Sequence, residues 1–279
     1  MRIVFDHVHF TYPPQLQSPS RPVLKNVCLD CDTTSLIGIC GATGSGKSTF
    51  IRHLNGLLKP TAGKVVIDGQ DIHHSKSTLS SIRRRIGMTF QFPERQLFGK
   101  TVREELTYTL ERRGIPESEV EERIFSAAAS LEFDLTALQD RSPFSLGRNE
   151  QRKLGIAVML TLQSELLVLD EPTAGMDRAN AIRLLALLAT LRNRHRAQII
   201  LVSHDLELLL KYAEFLIVFH DGHVALTGTP QEIIAMPERL RQCGLLLPPV
   251  HHTAWLVREQ HHDVLLSRRI SIDEIVRNM

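Results

Sequence analysis

The chain has 279 residues, 43% hydrophobic and 23% charged, which is enough apolar material for one large domain and excludes wholesale disorder. Its 33 basic and 31 acidic side chains leave a formal charge of +2, so no global basic field argues for a nucleic-acid partner. No apolar run approaches the roughly 18–20 residues that cross a bilayer, and four cysteines in this length make no disulfide framework, which points to a reducing cytosol.

The alternation in Arg2–Phe10 predicts a half-buried strand, with His7 and His9 in phase with Phe5, rather than a signal peptide. Pro13 to Pro22 is rich in Pro, Ser and Gln and reads as a loop. Strands follow at Val23–Asp32, at the apolar run Leu36–Cys40 bounded by Gly41, and at Lys64–Asp68, closed by Asp68-Gly69. Residues from about 95 to 165 read as mostly helical. Then come a strand at Leu166–Leu169, a helix at 179–194, a strand at Gln198–Val202, a helix at 206–213 and a strand at Phe215–Phe219. Strands alternating with helices predict the α/β class, with a parallel sheet covered on both faces. After Gly228, Thr229-Pro230-Gln231-Glu232 is a capping box with Pro at the first helical position, and Ser271-Ile272-Asp273-Glu274 is a second capping box. The expected division is therefore a domain over 1–228 and a small helical extension over 229–279.

Gly41-Ala42-Thr43-Gly44-Ser45-Gly46-Lys47-Ser48-Thr49 fits G-x-x-x-x-G-K-S between an apolar strand and a helical run, the context that motif requires. Glycines let backbone N–H groups turn inward around a phosphate. Lys47 brings a compact cation to the β- and γ-oxygens, and Ser48 offers a hydroxyl to Mg²⁺. Leu166-Leu167-Val168-Leu169-Asp170-Glu171 is a buried-type strand that ends in two carboxylates. Asp170 is expected to hold Mg²⁺ and Glu171 to polarise an attacking water.

With these motifs in this order, the sequence resembles the nucleotide-binding subunits of ABC transporters over roughly residues 1–228. The resemblance implies a P-loop NTPase cassette: a RecA-like core, an N-terminal antiparallel β-subdomain, and a helical subdomain at about 95–165 that carries the signature. It implies that Tyr12 stacks on adenine and that Gln91, in Thr89-Phe90-Gln91-Phe92-Pro93, contacts Mg²⁺ and water. Asp177, in Ala174-Gly175-Met176-Asp177, would cross a dimer interface. His204, 33 residues beyond Glu171, would touch the γ-phosphate. The segment Phe92-Pro93-Glu94-Arg95-Gln96-Leu97-Phe98 and then Thr101-Val102-Arg103-Glu104-Glu105 resembles the ATPases of energy-coupling factor (ECF) transporters, which import vitamins and transition-metal ions, and within them the second of two paralogous ATPases. That implies ATP and Mg²⁺, a transmembrane scaffold subunit, a separate membrane subunit that binds the cargo, and a place on the cytoplasmic face of the cell membrane. Glu94 is the expected acceptor for arginines on the scaffold's coupling helices.

One motif departs from the family. A gap-free alignment places Leu146-Gly147-Arg148-Asn149-Glu150 on the L-S-G-G-Q signature, which completes the active site of the other subunit. A gapped alternative puts Ser145 and Gly147 on the family's Ser and second Gly, and in a third reading the Arg148 guanidinium replaces lost phosphate contacts. Gly147 has no hydroxyl to donate, and losing one preorganised donor costs about 2–4 kcal/mol of transition-state stabilisation. The expected consequence is asymmetry: this chain's own site, completed by an intact partner signature, hydrolyses ATP, while the site built on residues 146–150 is slow. A heterodimer with a paralogous ATPase follows. Two rival readings are a soluble ABC-type ATPase of DNA repair or translation and a mainly regulatory ATP-binding subunit.

Other signals carry less. Cys28 and Cys31, at i and i+3 of a strand, face opposite sides and do not suit one metal. The pairs His73-His74, His251-His252 and His261-His262 read as surface loops, and Arg83-Arg84-Arg85 as a solvated face.

Overall fold

The computed structural model describes residues 1–13, 21–33, 35–195 and 198–260. In chain order the elements are β1 (Arg2–Thr11), β2 (Pro22–Asp32), β3 (Leu36–Gly41), α1 (Lys47–Leu54), β4 (Ala62–Ile67), β5 (Gln70–Asp71), α2 (Lys76–Arg85), β6 (Ile86–Thr89), α3 (Val102–Arg112), α4 (Glu117–Ser130) and α5 (Leu135–Leu138). They continue with α6 (Arg148–Thr161), β7 (Leu166–Asp170), α7 (Arg178–His195), β8 (Gln198–Val202), α8 (Leu206–Tyr212), β9 (Phe215–His220), β10 (His223–Gly228), α9 (Pro230–Ile234), α10 (Pro237–Gln242) and α11 (Pro249–Gln260). Short 3₁₀ turns lie at Pro93–Gln96 and Pro143–Ser145. Among the described residues, no helix is long and apolar enough to cross a membrane.

The chain forms two compact units: one joins two distant stretches, residues 2–73 with 202–279, and the other is continuous over 74–201 apart from Met1. The first contains an antiparallel sheet in the order β2-β1-β4-β5. It also contains β10-β9-β3, in which β3 runs parallel to β9 and β10 antiparallel to it. Its core includes Phe5, Phe50 and Phe219, with ring centroids 4.2 and 4.9 Å apart in successive pairs. Large aromatic rings at such spacing bury much apolar area and lock α1 between strands.

β1 does not keep the alternation read from its sequence. Ile3 and Phe5 are buried, but so are Val8 and Phe10, while His7 and His9 are exposed. The pairing with β2 slips between Phe5 and Val8, and His7 has φ 49°. An extra residue in the strand reverses the phase of everything after it. The histidines expected beside Phe5 therefore face outward, and His7 Nδ1 lies 2.8 Å from Asn26 Oδ1.

The second unit pairs β6 parallel to β7, with β8 beside β7. β7 is buried throughout, as expected of a parallel strand covered on both faces. Helices α3 and α4 pack on α6. Thr101 caps α3 by accepting from the Glu104 N–H at 3.1 Å. Arg85 forks onto Glu165 with two bonds of 2.7 Å, so the last arginine of the 83–85 run is an ion-pair partner rather than part of a solvated face.

The expected capping box at residue 229 is present: the Thr229 N–H donates to Glu232 Oε2 at 2.7 Å and the Glu232 N–H to Thr229 Oγ1 at 3.4 Å. Helix α9 packs on β9 and β10, and α10 and α11 follow. His251 and His252 lie on α11 instead of in a loop, and His251 is buried because its helix face turns inward. The 271–274 capping box and His261-His262 lie outside the described residues. Cys28 is exposed, whereas burial pushes the Cys31 thiol up to about 12.

Candidate functional site

The 2–73/202–279 unit carries the glycine-rich loop. β3 is wholly buried and delivers the chain to Gly41, whose φ is 147° and where a Cβ would lie 2.2 Å from Phe219 O, so only glycine fits. Ala42, Thr43 and Gly44 form the exposed crown. Gly46, at φ 106°, is the N-cap of α1, and it offers no side chain to the helix's first N–H groups. The first turn of α1 contains no acid. Lys47 is buried and donates from Nζ to Gly41 O at 2.8 Å and Ala42 O at 2.9 Å. Ser45 Oγ is buried and has no hydrogen-bond partner. N-terminal helix N–H groups without a side-chain cap, a buried ammonium and an orphaned hydroxyl make an anion cradle, and these groups fit a polyphosphate. Ser48, one residue on, is half-buried, and Thr49 is buried.

Tyr12 stands close to this loop. Its hydroxyl lies 3.2 Å from Thr49 Oγ1, Arg52 donates to it at 3.4 Å, and its ring meets Phe10 edge-on at 4.8 Å. The ring is thus held at the start of α1 with 37% of the residue's surface exposed, available for stacking. His204 is exposed at the end of β8. The preceding Ser203 N–H donates to Ile39 O at 3.0 Å, and the following Asp205 caps α8 by accepting from the Leu208 N–H at 3.0 Å. His204 is therefore framed on both sides by fixed backbone.

The 74–201 unit carries the carboxylates. Asp170, the last residue of β7, is 3% exposed, and Glu171 is 9% exposed. Glu171 has φ 50°, a left-handed conformation that costs a non-glycine residue about 1–3 kcal/mol and persists only where its surroundings enforce it. Asp177 uses both carboxylate oxygens on Asn180, from N at 2.9 Å and Nδ2 at 2.6 Å, and these bonds hold its carboxyl below the ordinary range. Gln91 is exposed just beyond β6.

Glu94 is not a simple surface carboxylate. It forks onto Arg152, from Nε at 3.2 Å and from Nη2 at 2.9 Å, with the two side chains 16% and 5% exposed. No sequence motif assigns Arg152 a role. Glu105 was likewise unassigned: it is buried, and its Oε2 accepts the Phe98 and Gly99 N–H groups at 2.8 and 2.6 Å. An acid in a first helical turn hints at such a cap, but its partners are six and seven residues upstream.

The signature stretch begins α6. Leu146 is buried, while Gly147 and Arg148 are exposed. The Gly147 N–H donates to Glu150 Oε2 at 3.0 Å, so a carboxylate occupies the helix N-terminus. A Cβ on Gly147 would have only that oxygen nearby, at 3.5 Å. Among the described residues, no group of three or more His, Cys, Asp or Glu is placed to hold a metal ion by itself.

A family model described as ABC transporter matches residues 24–174. The energy-coupling factor transporter ATP-binding protein EcfA2 of Clostridium perfringens is 36% identical over 93% of this chain and 90% of its own length. The protein of the same name from Symbiobacterium thermophilum is 38% identical over 93% and 89%. Among solved structures, a Clostridium perfringens protein described as cbiO1, part of the ABC transporter complex cbiONQ, is similar with a TM-score of 0.76 at 28% identity, covering 90% of this chain and 98% of that one. An ATP-binding cassette solved as a dimer bound to ADP and Pi is similar with a TM-score of 0.71 at 27% identity, covering 82% and 98%.

Proposed function

Because this chain belongs to the ATP-binding proteins of energy-coupling factor transporters, within the ABC transporter ATPases, we propose that it binds and hydrolyses ATP to drive an ECF-type importer of vitamins or transition-metal ions. The observation that carries this reading is the anion cradle at α1, with Lys47 buried, Ser45 Oγ unpartnered and no acid in the first turn. Gly41, Thr43, Gly44, Ser45, Gly46, Lys47, Ser48 and Thr49 surround the phosphates, and Tyr12 stacks on the adenine. Ser48, Asp170 and Gln91 hold Mg²⁺, which when bound offsets phosphate charge. Glu171 orients the attacking water in line with the γ-phosphate, and His204 contacts that phosphate. Asp177 crosses to the partner subunit.

The partners in this reading are a paralogous ATPase with an intact signature, a transmembrane scaffold subunit and a separate cargo-binding membrane subunit. The chain then sits on the cytoplasmic face of the membrane. Residues 1–228 form the cassette, and 229–279 form an extension that helps hold the dimer. The chain's own site is the active one. In this reading the site completed by its signature is slow for two reasons: Gly147 brings no hydroxyl, and Glu150, whose carboxylate accepts the Gly147 N–H at the start of α6, adds negative charge that disfavours a nearby phosphate.

Phosphate release by the purified ATPase pair on its scaffold tests the reading. Lys47→Ala abolishes release if the chain is a working ATPase. Unchanged release would mean a regulatory subunit instead.

A further inference from the structure

Arg152 joins three separate stretches of the 74–201 unit. Its Nε and Nη2 hold both oxygens of Glu94, just beyond Gln91. Its Nη1 donates to Pro172 O at 3.1 Å and to Ala174 O, just beyond Glu171. The residue itself belongs to α6, the helix that starts at the signature. At 4% exposure, a guanidinium with these partners is a buried fork that bonds through all three of its nitrogens. The same helix face is pressed on the same loop: one turn on, at Gly155, a Cβ would lie 2.9 Å from Pro93 Cβ and 3.1 Å from its carbonyl carbon. Phe92, at φ 62°, has its ring 5.8 Å from the Arg152 guanidinium carbon and 4.6 Å from that of Arg95. The loop at 92–94 therefore moves against α6 only if the fork changes partners.

We propose that Arg152 is a positioning residue for hydrolysis: it ties the loop after Gln91 to the segment after Glu171, so that a displacement of that loop changes how the attacking water is oriented. This rests on the roles given above to Gln91 and Glu171. Arg152 itself touches no reacting atom in this scheme. Its planar, charge-assisted bonds transmit position because the carboxylate and the two carbonyls are held in fixed directions by one rigid group. Lysine, a point charge on a flexible stem, keeps the charge but not the fork.

The test uses the assembled complex and compares Arg152→Gln, Arg152→Lys and Glu94→Gln with the unaltered chain, reading kcat, KM for ATP and ATP binding. A misplacement of order 1 Å at the reacting centre costs up to about 100-fold, so kcat is expected to fall between about tenfold and 100-fold in Arg152→Gln with KM within about threefold. Arg152→Lys recovers only part of the loss. Glu94→Gln, which keeps the carbonyl contacts, lowers kcat less and retains ATP binding; combined with Arg152→Gln it adds nothing further. An unchanged kcat in Glu94→Gln and Arg152→Lys would overturn the proposal, as would equal loss of kcat and ATP binding. Lys47→Ala in the same complex separates the two levels. If it leaves phosphate release intact, the proposed function fails. If it abolishes release while the Arg152 and Glu94 variants behave as the unaltered chain, only the positioning role fails.

Discussion

Two helix N-termini in this chain contrast in their chemistry. α1 begins at a left-handed glycine, has no acid in its first turn, and has a buried lysine and an unpartnered serine hydroxyl beside it. α6 begins at a glycine whose N–H is already taken by Glu150 from the same first turn. The helix dipole is the same in both. What differs is whether the chain leaves the end open to a ligand anion or closes it with its own. A helix N-terminus is thus a phosphate site only where the sequence withholds its own acids and caps, which makes the two ends a natural experiment on asymmetry within one family fold.

The largest effect is expected at the open end. In the proposed scheme Lys47→Ala removes the cation that offsets developing phosphate charge, and phosphate release by the complex should fall by at least about 10²–10³-fold. At the closed end the expected change has the opposite sign. Gly147→Ser with Glu150→Gln restores a hydroxyl and removes the competing carboxylate, and the space at Gly147 accepts the side chain. In a background where Glu171→Gln silences the first site, residual hydrolysis should rise about tenfold, equivalent to ~1.4 kcal/mol. No rise would mean that Glu150 does not compete with the nucleotide.

The smallest effect concerns the last turn of α1. His53 is fully buried, donates from Nδ1 to Thr49 O at 2.8 Å, and has Nε2 without a partner. Burial lowers it from 6.5 to about 4. Between those values the unfolded chain binds a proton that the folded chain does not. Stability is therefore complete above about pH 6.5 and falls as pH drops towards 4, by at most about 3 kcal/mol. Urea midpoints at pH 5 and 7 should differ less in His53→Gln than in the unaltered chain. An equal difference would assign the acid sensitivity elsewhere.

The contrast also explains what the sequence could reveal. The phosphate loop is nine consecutive residues whose chemistry is local, so strand, glycines and lysine are read together. Glu150 beside Gly147 is visible for the same reason, although its role as a cap emerges only from the bond. The β1 alternation failed at His7 because one bulged residue reverses every later side chain, and nothing in the alternation itself marks the bulge. The Glu94–Arg152 fork spans 58 residues, and no periodicity brings such a pair together. His251 looked like half of a surface pair but lies on the inward face of α11.

The proposed asymmetry between two ATP sites is tested most directly by replacing Glu171 and its counterpart in the proposed partner ATPase one at a time in the assembled complex and measuring phosphate release. Glu171→Gln should abolish nearly all of it, while the equivalent change in the partner ATPase should leave most of it. Equal losses from the two changes would contradict the asymmetry and restore two working sites.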